Sequence, residues 1–155
     1  MRAHLTAVFQ MLERVPFGLH QLLFRLAIAG VFLRAGLQKL ESWESTVELF
    51  RNEYKVPVLP PDLAALMGTA TEILCPTLLV LGLATRVATL PLLGMIATIQ
   101  LFVYPQAWHE HLVWSSILLV LLTRGGGTIA VDHLIASRVG HGDAAPAPTL
   151  SAARR

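Results

Sequence analysis

Leu63–Ala84 reads LAALMGTATEILCPTLLVLGLA, and the fold turns on how this stretch is understood. It meets the ~20 mainly apolar residues that a bilayer-spanning helix needs. Near its middle sits one carboxylate, Glu72, the only charge in the run. Four residues later comes Pro76, which has no N–H to give to the Glu72 carbonyl and whose ring crowds that oxygen. One helical position thus carries both an acid and a freed backbone acceptor, in a solvent without water to satisfy either. The question is what Glu72 faces.

Composition supports a membrane setting. Of 155 residues, 54% are hydrophobic and 14% charged, against about a quarter charged in an ordinary soluble domain. A net charge of +2 without a basic stripe interleaved with aromatics argues against nucleic-acid binding. The single cysteine, Cys75, lies inside the apolar run, which rules out an intrachain disulfide or a CxxC relay and favours an inert buried thiol. Ala27-Ile28-Ala29 mimics a signal-peptide cleavage site, but Arg25 interrupts the apolar run before it and apolar sequence continues beyond. The N-terminus is therefore expected to be retained.

Outward from Leu63–Ala84, the pattern predicts four spans, at about 21–40, 63–84, 87–104 and 108–124. Residues 1–20 form an amphipathic N-terminal segment, with Leu5, Val8, Phe9, Leu12 and Val15 at helical spacing. The first span carries Arg25 near its start, where the side chain can snorkel to the interface. It also carries small residues, Ala29, Gly30, Ala35 and Gly36, that admit a close neighbour. Residues 41–61 are the one long polar connection. Ser45 and Glu48 have capping-box spacing, and Val47, Phe50 and Tyr54 share one side, as expected of an amphipathic re-entry segment over the bundle. Gly82–Arg86 is too short for anything but an antiparallel hairpin. The fourth span is short and must borrow Trp108–His111, with Trp108 and Trp114 as interfacial anchors. Residues 21–135 make one membrane domain, and 136–155 read as a disordered tail.

Arg2, Arg14, Arg86, Arg124, Arg138, Arg154 and Arg155 fall on one side of this topology. The other side holds Lys39, Arg51 and Lys55 among five acidic residues, which places both termini in the cytoplasm. The expected fold is an all-α, integral-membrane, antiparallel four-helix bundle.

On the outer side this topology gathers Arg34, Gln38 and Lys39 from span one, Thr69 and Glu72 from span two, Gln100 and Tyr104 from span three, and His109 and His111 from span four. Depth along the helices puts Glu72 ~14 Å from Leu63 and Arg34 ~9 Å from Leu40, so an Arg34–Glu72 pair is expected, with Gln38 donating to the same carboxylate. Two readings stay open. The pair is either a structural ion pair that registers spans one and two, or the wall of a ligand pocket. His109 and His111, at i and i+2, point to different sides of a helix and do not make a metal site; no metal is expected. Nor does the sequence argue for haem.

Three stretches resemble the DoxX family of small membrane proteins: Arg25-Leu26 with Ala35-Gly36-Leu37-Gln38-Lys39-Leu40; Glu72 followed by Leu81-Gly82-Leu83-Ala84-Thr85-Arg86-Val87-Ala88; and Gly125-Gly126-Gly127-Thr128-Ile129-Ala130-Val131-Asp132. The last departs from the family's Gly-Pro-Gly by reading Gly-Gly-Gly. The resemblance implies a multi-pass protein of the bacterial cytoplasmic membrane, related to membrane subunits linked to thiosulfate:quinone oxidoreduction and to thiol and oxidative stress. The leading expectation is the membrane subunit of a redox system, an oxidoreductase subunit if it is catalytic at all. Arg34, Gln38 or Lys39 would polarise a carbonyl oxygen, Glu72 with His109 or His111 would relay protons, and Thr69, Gln100 and Tyr104 would complete the ligand site. The residues fix no cofactor, though a quinone would suit, since it brings its own redox chemistry. Expected partners are the lipid bilayer and a partner protein or second copy. A non-enzymatic scaffold for a partner complex and a small dimeric proton-coupled transporter are the rival readings.

Overall fold

The computed structural model describes residues 13–139. The expectations for residues 1–12 and 140–155 lie outside the described residues. Within them the chain is all-α, and no strand occurs among the described residues. The elements are α1 (Phe17–Glu41), α2 (Trp43–Leu49), α3 (Pro61–Leu81), α4 (Thr85–Thr98), α5 (Trp108–Arg124) and α6 (Val131–Val139). One π-helical turn, Phe50–Tyr54, extends α2 and another, Ile99–Val103, extends α4. Helix α6 carries regular structure through residues 136–139, which the sequence pattern assigns to the tail.

Among the described residues, three helical stretches are long and apolar enough to cross a membrane: Phe17–Glu41, Pro61–Leu81 and Thr85–Val103. Helix α5 has 17 residues, ~26 Å of rise against a ~30 Å hydrocarbon core. Leu23, Leu37, Leu66, Leu74, Val87, Leu101, Leu112 and Leu119 stand exposed around the perimeter, more apolar surface than water tolerates and what lipid requires.

The four long helices touch in a ring, α1 to α3, α3 to α4, α4 to α5 and α5 back to α1. Ile28, Phe32, Leu79, Leu92, Leu118 and Leu121 fill the middle, none more than 3% exposed. Burial from lipid gives no hydrophobic gain, so close packing of small residues has to hold such helices together. Gly36 shows this directly. A Cβ there would lie 2.9 Å from the Glu72 Cβ and 2.8 Å from Ile73, so only glycine lets α1 come this close to α3.

At one end, which we call the hairpin end, α3 stops at Gly82 (φ +69) and α4 begins after Ala84 (φ +48). Asp132 caps that start, accepting from the backbone N–H of Ala84 (2.7 Å) and Thr85 (2.9 Å), and its own N–H donates to the Gly82 carbonyl (2.9 Å). Arg25 does not snorkel. Its side chain is buried here, 2% exposed, with Nη1 donating to the carbonyls of Gly126 and Ile129 (both 2.8 Å) and Nη2 to that of Val80 (3.2 Å). Its stripe on α1 explains the difference: Arg25, Ile28, Phe32 and Gly36 repeat at three or four residues and all face the core. Gln21 donates to the Gly125 carbonyl (2.9 Å), binding the glycine loop to α1 as well. The three stretches of family resemblance thus contribute Arg25, the α3–α4 hairpin and the glycine loop with Asp132 to one clamp.

At the opposite, roofed end, α2 and its π turn fold back over the ring. Val47 and Phe50 pack on Ala64 and Ala65, with Tyr54, Val56 and Leu59 around them. Thr46 Oγ1 donates to the Lys39 carbonyl (2.7 Å) and ties this roof to the end of α1.

Candidate functional site

Beneath the roof lies a cavity of about 560 Å³. All four long helices line it: Phe32, Ala35 and Lys39 from α1; Gly68, Thr71 and Glu72 from α3; Pro91 and Met95 from α4; His111 and Trp114 from α5. Tyr54 and Tyr104 line it at the roofed end.

The ion pair on its wall is Lys39–Glu72, not Arg34–Glu72. Lys39 Nζ donates to Glu72 Oε1 at 2.8 Å and Oε2 at 2.7 Å, with the two side chains 12% and 8% exposed. Depth alone points to Arg34, but azimuth decides. Lys39 lies three residues beyond Gly36, the point where α1 meets Glu72, and so projects over it. Arg34 lies two residues before Gly36, on the other side of the helix. There it is exposed and shares a shallow groove with Gly30, Leu37, Gln38 and Glu41. Gln38, in the same groove, does not reach Glu72 either.

The histidines separate in the same way. His111 shares a stripe with Trp114, Leu118 and Leu121, is 5% exposed and lines the cavity. His109 is exposed and stacks on Trp108, with ring centroids 3.6 Å apart. His111 Nδ1 meets Gln100 Oε1 at 2.6 Å, while Gln100 Nε2 donates to the Pro105 carbonyl (2.8 Å). That second bond fixes which amide atom is the oxygen, so Nδ1 carries the proton and donates. In neutral His111, Nε2 is left as the acceptor. Gln100 thereby orients the imidazole rather than lining the cavity. Thr69 is buried behind the wall, and among the described residues its hydroxyl has no hydrogen-bond partner.

Two features of the roof are hard to read in a sequence. Both tyrosines sit at the end of a π turn, Tyr54 as its last residue and Tyr104 just after. Such turns insert a residue and re-aim side chains, often at functional sites. The rings meet edge to face with centroids 5.9 Å apart, and Tyr104 Oη donates to Glu53. That bond to a carboxylate pushes the Tyr104 phenol well above the usual tyrosine range. Burial pushes the Tyr54 phenol up, and the nearby charges of Glu72 and Glu53 add to the shift.

Chemically, the cavity offers an ammonium and a carboxylate in direct contact, an imidazole held in one tautomer, and apolar walls. It can hold a planar or polar headgroup, donate hydrogen bonds to its oxygens and exchange protons with it.

The comparisons with known proteins agree with this architecture at the level of family. The chain is similar to an uncharacterized protein of Haemophilus influenzae, 24% identical over 134 residues, an alignment that spans 80% of this chain and 88% of that one. No solved structure matches the chain. The sequence profile of the DoxX family matches residues 20–105, which include α1, the roof segment, α3 and α4. This chain belongs to the DoxX family of membrane proteins.

Proposed function

We propose that this protein is the membrane subunit of a redox system, and that the cavity beneath the roof takes the headgroup of a quinone. In this reading the four long helices span the bacterial cytoplasmic membrane as an antiparallel bundle. Both termini are cytoplasmic, a placement that the distribution of arginine supports, and the roof faces outward. The single observation that carries the proposal is the Lys39–Glu72 pair on the wall of a cavity of about 560 Å³, with His111 also on its lining. A purely structural ion pair needs no such volume beside it.

The residues fit a quinone. Lys39 supplies an N–H donor for a carbonyl oxygen, and His111 Nε2, the acceptor of the neutral ring, would accept from a hydroxyl of the reduced form. Phe32, Met95 and Trp114 give the flat apolar surfaces a ring requires. A bound quinone would supply two-electron, two-proton chemistry; Glu72 and His111 would hold and pass the protons. Gln100 would keep the imidazole aimed, and Tyr54 and Tyr104 would keep bulk water out. Electrons would come from a partner protein acting on a thiol or thiosulfate-type donor, consistent with the absence of any cysteine pair in this chain.

The test is extraction of the purified, native-membrane protein followed by quinone analysis. Quinone should accompany the wild-type protein and be lost from Lys39→Met at unchanged protein yield. A wild-type preparation free of quinone would count against the proposal. So would a Lys39→Met protein that still carries its full complement.

A further inference from the structure

The cavity has polar groups, Tyr54, Tyr104 and the exposed Glu110, at its roofed end and exposed apolar residues along its sides. At the top, Tyr54 packs on Tyr104, Tyr104 donates to Glu53, and Phe50, Val56 and Leu59 lie against the start of α3. Phe50 rests on Gly68, where even a Cβ would come to 3.0 Å from its ring. The sides differ. Val31 on α1 and Met67 on α3 line the cavity and yet are 39% and 52% exposed, and Pro91 on α4 lines it and is exposed too. All three are apolar and lie within helical stretches long and apolar enough to cross a membrane. In the bilayer placement proposed above, surface at those positions would face hydrocarbon.

We infer that the cavity is entered from the bilayer, and that its occupant is an amphiphile whose headgroup reaches Lys39, Glu72 and His111 while an apolar chain leaves between the helices past Met67 or Val31. The inference rests on the headgroup site proposed above and adds the route and the chain. The packed tyrosines and the Tyr104–Glu53 bond narrow the roofed end, where the exposed Glu110 also borders the cavity. A lipid-soluble molecule meets mainly apolar side chains, with Thr71 and Thr98 among them, until its head reaches the ion pair. The arrangement also selects by partition: a polar head without a chain is rarely present on the side from which the cavity opens.

The route can be tested without knowing the ligand, because Trp114 lines the cavity. In the Trp43→Phe, Trp108→Phe protein it is the sole tryptophan. This protein, reconstituted in phosphatidylcholine vesicles, is exposed to acrylamide in the water and separately to lipid brominated on its acyl chains. The bromolipid should quench Trp114 strongly. Acrylamide should quench it several-fold less than it quenches a companion protein that keeps only Trp43, which is 40% exposed on the roof segment. Narrowing the sides with Val31→Phe and Met67→Phe should remove at least half of the bromolipid quenching. Acrylamide reaching Trp114 as freely as Trp43 would overturn the inference, and so would bromolipid quenching that ignores the two phenylalanines.

A second arm separates this result from the headgroup assignment. Decyl-benzoquinone should quench Trp114 in the otherwise wild-type protein and several-fold less after Glu72→Gln. If the side route holds and this effect fails, the quinone is wrong and bilayer entry stands. If the quinone effect holds and the acrylamide result is reversed, the headgroup site stands and bilayer entry is wrong.

Discussion

At the hairpin end Arg25 gives its guanidinium to three backbone carbonyls, whereas at the roofed end Lys39 gives its ammonium to one side-chain carboxylate. Both cations are on α1, on the same inward stripe. Their surroundings differ in kind. The carbonyls of Val80, Gly126 and Ile129 cannot titrate or turn away, and Gly82 and Gly126 have no side chain because Arg25, Ala130 and Thr85 occupy that space. Glu72 carries an exchangeable proton site, lies in a helix whose Pro76 withholds a backbone donor, and borders an open cavity. The contrast teaches that a buried charge in a membrane protein is not by itself a sign of chemistry. What it is paired with decides: carbonyls that cannot titrate, or a carboxylate that can.

The sharpest way to break the comparison is Arg25→Met. It leaves three carbonyls unsatisfied at the point where α1, α3 and the glycine loop meet, and should cost about 3–5 kcal/mol of unfolding free energy in micelles. A loss below about 1 kcal/mol would show that the hairpin end is not the clamp described. Gly36→Leu should come next. It wedges α1 from α3 beside Glu72, costing about 1–3 kcal/mol, and should weaken ligand retention by pulling Lys39 off the carboxylate. Asp132→Asn keeps the shape of the α4 cap but weakens two charge-assisted bonds, for about 1 kcal/mol and no change in the cavity.

The smallest effect belongs to the roof. Tyr54 and Tyr104 both hold their protons above the ordinary tyrosine value of about 10, so folding favours the protonated phenols. Their contribution is fully present below about pH 10 and is lost as pH rises from there through the raised folded values. Thermal unfolding should therefore show an alkaline decline that Tyr104→Phe makes shallower. An identical decline in the variant would remove Tyr104 from the account.

Much of this is legible in the sequence, and the failures share one main cause. Span positions follow from apolar length, and Glu72 stands out because one acid in such a run is costly. Depth, however, says nothing of azimuth. Distance along the axis, weighed without rotation about it, favours Arg34 over Lys39 and sends Arg25 to the interface. The stripe Arg25, Ile28, Phe32, Gly36, Lys39 carries the missing information, and so does His111, Trp114, Leu118, Leu121 for the choice of histidine. The clamp at the hairpin end is beyond reach for another reason. Its acceptors are backbone carbonyls, which have no letter in a sequence, and the glycine loop that supplies two of them lies about a hundred residues from Arg25. The π turns are equally hidden, since an inserted residue leaves apolar periodicity almost unchanged over so short a segment.

The central claim is that the roofed end is a ligand site and the hairpin end a structural clamp. The most direct measurement is the unfolding midpoint of three purified proteins, wild type, Asp132→Asn and Glu72→Gln, with and without decyl-benzoquinone. A ligand at a hundredfold excess over its dissociation constant adds about 2.7 kcal/mol to the folded state. The account predicts that added quinone stabilises wild type and Asp132→Asn by the same increment and leaves Glu72→Gln unmoved. Full stabilisation of Glu72→Gln, or loss of the increment in Asp132→Asn, would contradict it.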